Sequence, residues 1–176
     1  MRIACVGDNT IDRYIGDELA TYVGGNAYNV AAQVAMHGGE AEYFGAIGAD
    51  ADGALIREGL LRAGVEETGL VTAMGATAVT TIRVDRGERF FESEEFGVTA
   101  DYFPSDDEIV HLAQTSWVHI GMLPRASELR LRLAKERARR GAGPVVSQDC
   151  AVAEGYEGLH VAFGSVGAEG DARAWA

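Results

Sequence analysis

The chain has 176 residues, 47% of them apolar, so it can form one sizeable buried core and does not have the composition of a disordered protein. Its 15 basic and 27 acidic residues give a net charge of -12, which argues against a nucleic-acid partner because affinity for phosphate backbones rests on Lys and Arg. No apolar run is long enough to span a bilayer and the first residues lack a signal-peptide layout, so we expect no membrane partner and a cytoplasmic location.

The first apolar run, at residues 2–7, predicts a buried parallel strand. Open α/β sheets bind their ligands at the carboxyl ends of such strands. A carboxylate suits a hydroxyl-rich ligand because it accepts two or more charge-assisted hydrogen bonds. For Asp8 and Asn9, the formation of a turn is an equally good explanation. The candidates that follow this strand are Asp8, Asn9, Thr10 and Asp12.

A glycine pair precedes a helical pattern at residues 26–37. Gly24 and Gly25 can adopt conformations closed to other residues and let a ligand approach the main chain closely. On that interpretation, Gly25→Val should impair binding more than stability. Asn26 is the predicted N-cap of the helix, which should end at Gly38–Gly39. A glycine turn that caps an ordinary helix explains the same residues without a ligand.

The next segments predict a strand, a second helix and a β-hairpin. An apolar run at residues 43–48 is typical of a buried strand, and Asp52 is the predicted cap of the helix that follows. Residues 13–23 have room for one or two small extended segments. Residues 77–98 alternate apolar and polar side chains on both sides of the turn sequence DRGER, which predicts the hairpin.

Strands and helices alternate from residue 104 onward, which predicts a parallel sheet with right-handed crossovers. His119, inside an apolar strand, is expected to be a core residue with a satisfied hydrogen bond. Asp149, at the end of another strand, is a pocket candidate. Cys5 and Cys150 lie in or beside strand-like runs, so two buried thiols are expected rather than a disulfide or a metal site.

The order G-G-x-A-x-N-x-A at residues 24–31, followed by Gly38 and Gly48, resembles the amino-terminal motif of the ribokinase-like, or PfkB, carbohydrate kinases. In that family the glycine pair and the following Asn hold sugar hydroxyls, and so does an Asp soon after the first strand. The resemblance therefore implies a sugar site. Asp149 is included in it because this residue follows a predicted strand of the same sheet. The predicted substrate-binding residues are Asp12, Gly24, Gly25, Asn29, Thr80 and Asp149.

The resemblance also implies the fold class: α/β, a ribokinase-like three-layer sandwich with a parallel central sheet and a small β lid. Segments of about residues 13–23 and 77–98 would form the lid, which could also join two chains as a homodimer. Thr80 and Ile82 would face the sugar, although a strand face packed on the core predicts the same alternation. Residues 1–176 would be a partial ribokinase-like domain, truncated before the carboxy-terminal nucleotide-binding half.

The family's phosphoryl-transfer motif is not found in this sequence. Phosphoryl transfer needs an anion cradle, a metal and a base, and in these kinases a G-A-G-D motif supplies the cradle and the base. The similar run at residues 167–171 contains an extra Glu and follows the wrong strand. Ser165 takes the place of the Asn in an N-x-x-E motif that organises magnesium and phosphates, and it is the predicted cofactor-binding residue.

The leading hypothesis is an ATP- and Mg²⁺-dependent kinase that phosphorylates a hydroxyl of a sugar or sugar-amine conjugate, with this chain carrying the sugar-binding half. GDNTID at residues 7–12 and FGVTADYF at residues 96–103 are most similar to the fructoselysine 6-kinases and related fructosamine kinases. The alternative is a noncatalytic sugar-binding remnant or regulatory fragment. A dinucleotide-binding oxidoreductase is disfavoured because no G-x-G-x-x-G follows the first strand.

Overall fold

The structure is a computed structural model that describes residues 1–150 and 155–164. The strands in this part are β1 (Arg2–Val6), β2 (Thr10–Gly16), β3 (Ala20–Gly24), β4 (Glu40–Gly48), β5 (Glu66–Ala73), β6 (Val79–Asp85), β7 (Glu88–Glu95), β8 (Trp117–Ile120), β9 (Val145–Asp149) and β10 (Val161–Phe163). The α-helices are α1 (Asn26–Met36), α2 (Ala51–Ala63), α3 (Asp106–Leu112) and α4 (Ala126–Arg140), with a 3₁₀ helix at Gly97–Asp101. None of the described helices combines the length and apolar character that a membrane span requires.

Six parallel strands form the central sheet in the order β10-β9-β8-β1-β4-β5, which confirms the predicted parallel sheet. β4 is buried over all but its first residue, and β1 over its last three residues, because helices cover both faces of the sheet there. In the register, Cys5 of β1 lies between Tyr43 of β4 and His119 of β8. The carboxyl ends of β1, β8 and β9 therefore meet at one edge of the sheet.

Helices on both faces of this sheet make the expected three-layer arrangement. One apolar cluster joins α1 and α2 to the face that carries Cys5, Tyr43 and Ile47. The other joins α3 and α4 to the face that carries Phe44 and Val118. Because neighbouring strand residues point to opposite faces, the single run of β4 supplies both clusters.

A second sheet of four strands, hereafter the small sheet, has the order β3-β2-β6-β7. The hairpins β2–β3 and β6–β7 join through a parallel pairing of β2 with β6. Arg86 and Gly87 turn the second hairpin with φ values of +52° and +82°, as two-residue hairpin turns require. The predicted hairpin is thus confirmed, and the small sheet occupies the segments expected to form a lid.

The predicted cap of α1 is wrong. Asn26 is the first helical residue, and Gly25 holds the N-cap position without a side-chain cap. The carboxylate of Asp8 accepts the backbone N–H groups of Asn26 and Ala27 instead. A residue from β1's end therefore caps the helix, and the Asn26 amide is released for other contacts.

The predicted cap of α2 is also wrong, by two residues. Asp50 is the N-cap, and its carboxylate accepts the N–H of Gly53 at 2.8 Å and that of Thr77 at 2.9 Å. Asp52 lies in the first helical turn and forms an ion pair with Arg13 of β2 at 2.5 Å. Asp50 is the N-cap, and its carboxylate also holds Thr77, which lies just before the β6–β7 hairpin.

Cys5 and Cys150 are buried free thiols, as the sequence predicted. Burial raises the pKa of the Cys5 thiol to about 12, so this side chain stays protonated at neutral pH. The pKa of the Cys150 thiol is also raised, mainly by burial. Both side chains are therefore packing residues.

Candidate functional site

The carboxylate of Asp8 joins three segments of backbone at the carboxyl end of β1. It accepts the N–H of Asn26 at 2.5 Å, that of Ala27 at 3.2 Å and that of Met122 at 2.8 Å. Asn9 is buried and donates hydrogen bonds into β4. These two residues therefore fix the frame of the site, and neither is limited to forming a local turn.

The glycine pair lies where the chain before α1 passes very close to β2 and to the residues that follow β1. At Gly24 a Cβ atom would overlap the carboxylate of Asp12. Gly25 has φ +104°, and its Cβ would lie 2.6 Å from Asn9 Cα and 2.7 Å from the Asp8 carbonyl oxygen. The chain's own backbone therefore requires glycine at position 25, which argues against the expectation that Gly25→Val impairs binding more than stability.

Three side chains form a row across the small sheet beside this glycine pair. The register places Asp12 of β2 opposite Thr80 of β6, and Thr80 opposite Glu94 of β7. Facing partners in adjacent strands point to the same side of a sheet. Thr80 is buried, and its hydroxyl lies 3.1 Å from that of Thr10. Glu94 is an addition to the residues predicted from the sequence.

The Asp12 carboxylate is half-buried, and no group in the described part of the chain donates a hydrogen bond to it. Its pKa is raised, first by burial and second by the negative charge of Glu94. A partly buried carboxylate that has a raised pKa and no donor from the described chain is a common feature of binding sites. Asp12 can therefore accept hydrogen bonds from a ligand's hydroxyl or ammonium group.

A second polar group lies on the other side of the glycine pair. Asn26 donates from Nδ2 to Asp149 Oδ2 at 2.9 Å, and its Oδ1 lies 2.9 Å from His119 Nε2. The other ring nitrogen of His119 lies 3.0 Å from the Ser147 hydroxyl, and this hydroxyl accepts from the indole N–H of Trp117 at 2.7 Å. The prediction that His119 is buried with satisfied hydrogen bonds is confirmed.

A cavity of about 440 Å³ opens above this second group. Its polar lining includes Asn26, His119 and Asp149, and its apolar lining includes Val30 and Phe163. A ligand pocket of this size commonly combines a few directed polar groups with an apolar wall. The wall residues come from α1 and β10, on the side of the sheet that faces α1.

The structure brings together most, but not all, of the predicted sugar-binding residues. Asp12 and Thr80 lie beside Gly24–Gly25 on one side, and Asp149 lies beside Asn26 on the other. Asn29 is exposed on α1 and lines a separate depression of about 540 Å³. Its contact with sugar stays a prediction. Ser165, the predicted cofactor-binding residue, lies outside the described residues.

Burial of His119 leads to a pH-dependent stability. The pKa of its ring is lowered from 6.5, chiefly because burial disfavours the charged form, while Asp149 and Asp8 act in the opposite direction. The unfolded chain therefore takes up a proton near pH 6.5 that the folded chain binds only at lower pH. We expect the contribution of His119 to the free energy of unfolding to be complete above this pH and to be lost below it.

Urea denaturation of the wild type and of His119→Gln between about pH 5 and pH 8 measures this contribution. The other ionisable groups are common to both proteins, so the difference between the two curves isolates His119. The stability advantage of the wild type should shrink as the pH falls. A pH-independent difference would contradict the expected depression of the His119 pKa.

Residues 1–150 and 155–164 contain no group of three or more His, Cys, Asp and Glu side chains that could hold a metal ion. These residues therefore form no preformed side-chain cage for a metal ion, although the Mg²⁺ of a kinase needs only one or two carboxylates together with the phosphates. The candidate site consists of hydrogen-bonding groups suited to a hydroxylated ligand. These residues can bind a ligand and orient it.

Comparison with known proteins places the chain in a family. Residues 2–149 match the model of the pfkB family carbohydrate kinases, so the chain belongs to this family. A protein of Escherichia coli (strain K12) described as fructoselysine 6-kinase is 32% identical over 126 residues, covering 72% of this chain and 48% of that protein. The chain thus spans about half the length of the curated relatives it matches.

Solved structures support the same fold. A crystal structure of ribokinase from Thermotoga maritima has a TM-score of 0.71 at 21% identity, covering 92% of this chain and 58% of that chain. Ribokinase of Arabidopsis thaliana, complexed with ribose and ATP, has a TM-score of 0.70 at 21% identity, covering 83% and 52% respectively. The expected ribokinase-like fold is therefore confirmed.

Proposed function

We propose that this chain carries the sugar-binding half of an ATP-dependent kinase that phosphorylates a hydroxyl group of a sugar or sugar-amine conjugate. The observation that carries the proposal is the half-buried Asp12 carboxylate without a hydrogen-bond donor in the described chain. It lies against Gly24, where the absence of a side chain leaves room for it. A sugar hydroxyl would supply the missing donor.

Within this proposal, the carboxylate of Glu94 favours a substrate that bears an amine. Asp12 and Glu94 both face Thr80 in the register, and their charges repel each other. An ammonium group between them would relieve that repulsion and form charge-assisted hydrogen bonds. The described activity of the E. coli relative, fructoselysine 6-kinase, supports a sugar-amine conjugate as the first substrate to test.

ATP and Mg²⁺ belong to the proposed reaction of the whole kinase. The Arabidopsis relative in complex with ribose and ATP supports ATP as the phosphate donor. Ser165 is proposed to lie at the nucleotide side. A homodimer through the small sheet is also proposed, since Leu19 and Phe91 expose 83% and 78% of their surface there.

Asp12→Ala is expected to weaken binding of fructoselysine roughly 10- to 100-fold, because a charge-assisted hydrogen bond to a hydroxyl contributes about 1.5 to 3 kcal/mol. Isothermal titration of the 176-residue chain measures the dissociation constant. Asp85→Ala is the matched control, since this partly exposed aspartate lies at the far end of β6. Equal affinity of the wild type and Asp12→Ala would remove Asp12 from the site.

A noncatalytic sugar-binding role is the second candidate, favoured by the absence of G-A-G-D from the sequence. A coupled ADP-release assay with fructoselysine, fructose and ribose separates it from a complete kinase. We expect sugar binding without turnover by this chain alone. Turnover above the buffer control would show that the chain contains catalytic machinery that we have not identified.

A further inference from the structure

The hydrogen bonds around Asn26 permit one consistent placement of their protons. The carboxylate of Asp149 can only accept, so the amide nitrogen of Asn26 must face it. The amide oxygen then faces His119, whose Nε2 must carry a proton in order to donate. The orientation of the Asn26 amide and the position of the His119 ring proton are thus linked.

The hydrogen-bond network extends from His119 to Ser147 of β9 and Trp117 of β8. A neutral imidazole with its proton on Nε2 has a free lone pair on Nδ1, which accepts from the Ser147 hydroxyl. Ser147 in turn accepts from the Trp117 indole, which can only donate. His119 and Ser147 expose 4% and 1% of their surface, so water cannot replace these partners easily.

A reversed Asn26 amide would create two unfavourable contacts. Its NH₂ group would face the proton on His119 Nε2, and its carbonyl oxygen would face the Asp149 carboxylate. Such contacts within a partly buried network cost more than a lost surface hydrogen bond. The network therefore holds the amide in one orientation.

In that orientation the second amide hydrogen of Asn26 remains to be used. Among residues 1–150 and 155–164, none accepts it, and Asn26 lines the 440 Å³ cavity next to the glycine pair. We propose that His119 is a positioning residue: it fixes the Asn26 amide so that this hydrogen is offered to a sugar oxygen while Asp149 accepts from a neighbouring hydroxyl. This role rests on the proposed sugar-binding function.

A purely structural histidine would stabilise β8 and β9 without affecting the ligand, and two substitutions separate the roles. In His119→Gln the longer side chain places an N–H near the Nε2 position and can still donate to Asn26. In His119→Asn the shorter amide reaches the Ser147 hydroxyl but not Asn26. Both keep a polar group in the buried space, so both are expected to fold.

The control for general destabilisation is Val118→Ala, which removes fully buried atoms from the opposite face of the same strand. Titration calorimetry with fructoselysine gives the dissociation constant for each protein, and urea denaturation gives its stability. We expect His119→Asn to weaken binding about tenfold or more and His119→Gln to stay within about threefold of the wild type. Val118→Ala should lose stability without a change in affinity.

Long-range ¹H–¹⁵N spectra of the imidazole rings test the proton placement without any ligand. We expect the His119 ring of the wild type to carry its proton on Nε2 at pH 7. A proton on Nδ1 would overturn the inference, and so would equal affinities of the wild type and His119→Asn. If the wild type binds no sugar, the proposed function fails, and the role assigned to the Asn26 amide fails with it. If it binds sugar but the Gln and Asn variants lose equal affinity, the positioning role alone fails.

Discussion

Asp8→Ala should lower the free energy of unfolding by about 3 kcal/mol or more, because one carboxylate holds the backbone N–H groups of Asn26, Ala27 and Met122. Without it, the start of α1 loses its cap and the loop after β8 loses its anchor. Hydrogen bonds to a charged acceptor are the stronger kind, and these three share one acceptor. Urea denaturation followed by circular dichroism measures the loss.

The matched control for this prediction is Asp17→Ala. Asp17 also accepts a backbone N–H, that of Arg86 at 2.7 Å, but it does so on the exposed side of the small sheet. We expect that substitution to cost about 1 kcal/mol or less. Similar losses for the two variants would mean that Asp8 contributes no more than an ordinary exposed hydrogen bond.

Gly25→Ala should destabilise the unliganded chain by about 3 kcal/mol or more, or prevent folding. The positive φ is strained for any residue with a side chain, and the new Cβ would press on the backbone of Asp8 and Asn9. Backbone atoms cannot rotate out of the way as a flexible side chain can. The turn at the start of α1 would therefore have to move.

Gly38→Ala provides the control for backbone strain alone. Gly38 has φ +83°, but no atom lies within 4 Å of its Cβ position. Its replacement is expected to cost roughly 1 kcal/mol. Thermal unfolding monitored by circular dichroism compares the two variants. If Gly25→Ala were no less stable than Gly38→Ala, the close approach of the backbone would carry no energetic weight.

The central sheet could be predicted because its evidence is local. Each strand is a short apolar run followed by polar or glycine residues, and β4 at residues 40–48 shows this pattern most clearly. The resemblance to the carbohydrate kinases then identified the glycine pair before α1 and Asp12. Both conclusions depend on residues that lie close together in the sequence.

Glu94 could not be found by counting from the hairpin turn. The turn at Arg86–Gly87 pairs Asp85 with Glu88, and an unbroken register would place Ser93 opposite Thr80. A bulge between Thr81 and Ile82 shifts the partner by one residue, so that Glu94 faces Thr80 instead. The sequence around the bulge contains no glycine or proline that would indicate a bulge. A one-residue shift therefore decides which side chain enters the site.

The helix caps failed for a different physical reason. Propensity favours Asn26 and Asp52 as caps from their local sequence. Asp8 caps α1 from the end of β1, and Asp50 is retained at α2 because it also binds Thr77. Asp8 and Asp50 both bind groups from distant parts of the chain, and N-cap preferences read from the local sequence do not include such contacts. His119 was correctly expected in the core, but its bond to Asn26 depended on the same tertiary packing.

The pairing of β2 with β6 also bears on how the chain folds. Each hairpin of the small sheet can form from neighbouring residues, a process that takes microseconds. Their union brings together residues such as Thr10 and Thr80, 70 positions apart, and such non-local contacts form slowly because a long loop must close first. Asp12 meets Thr80 only in that union. A chain with both hairpins formed but still unpaired would hold every residue of the row without yet having assembled a site.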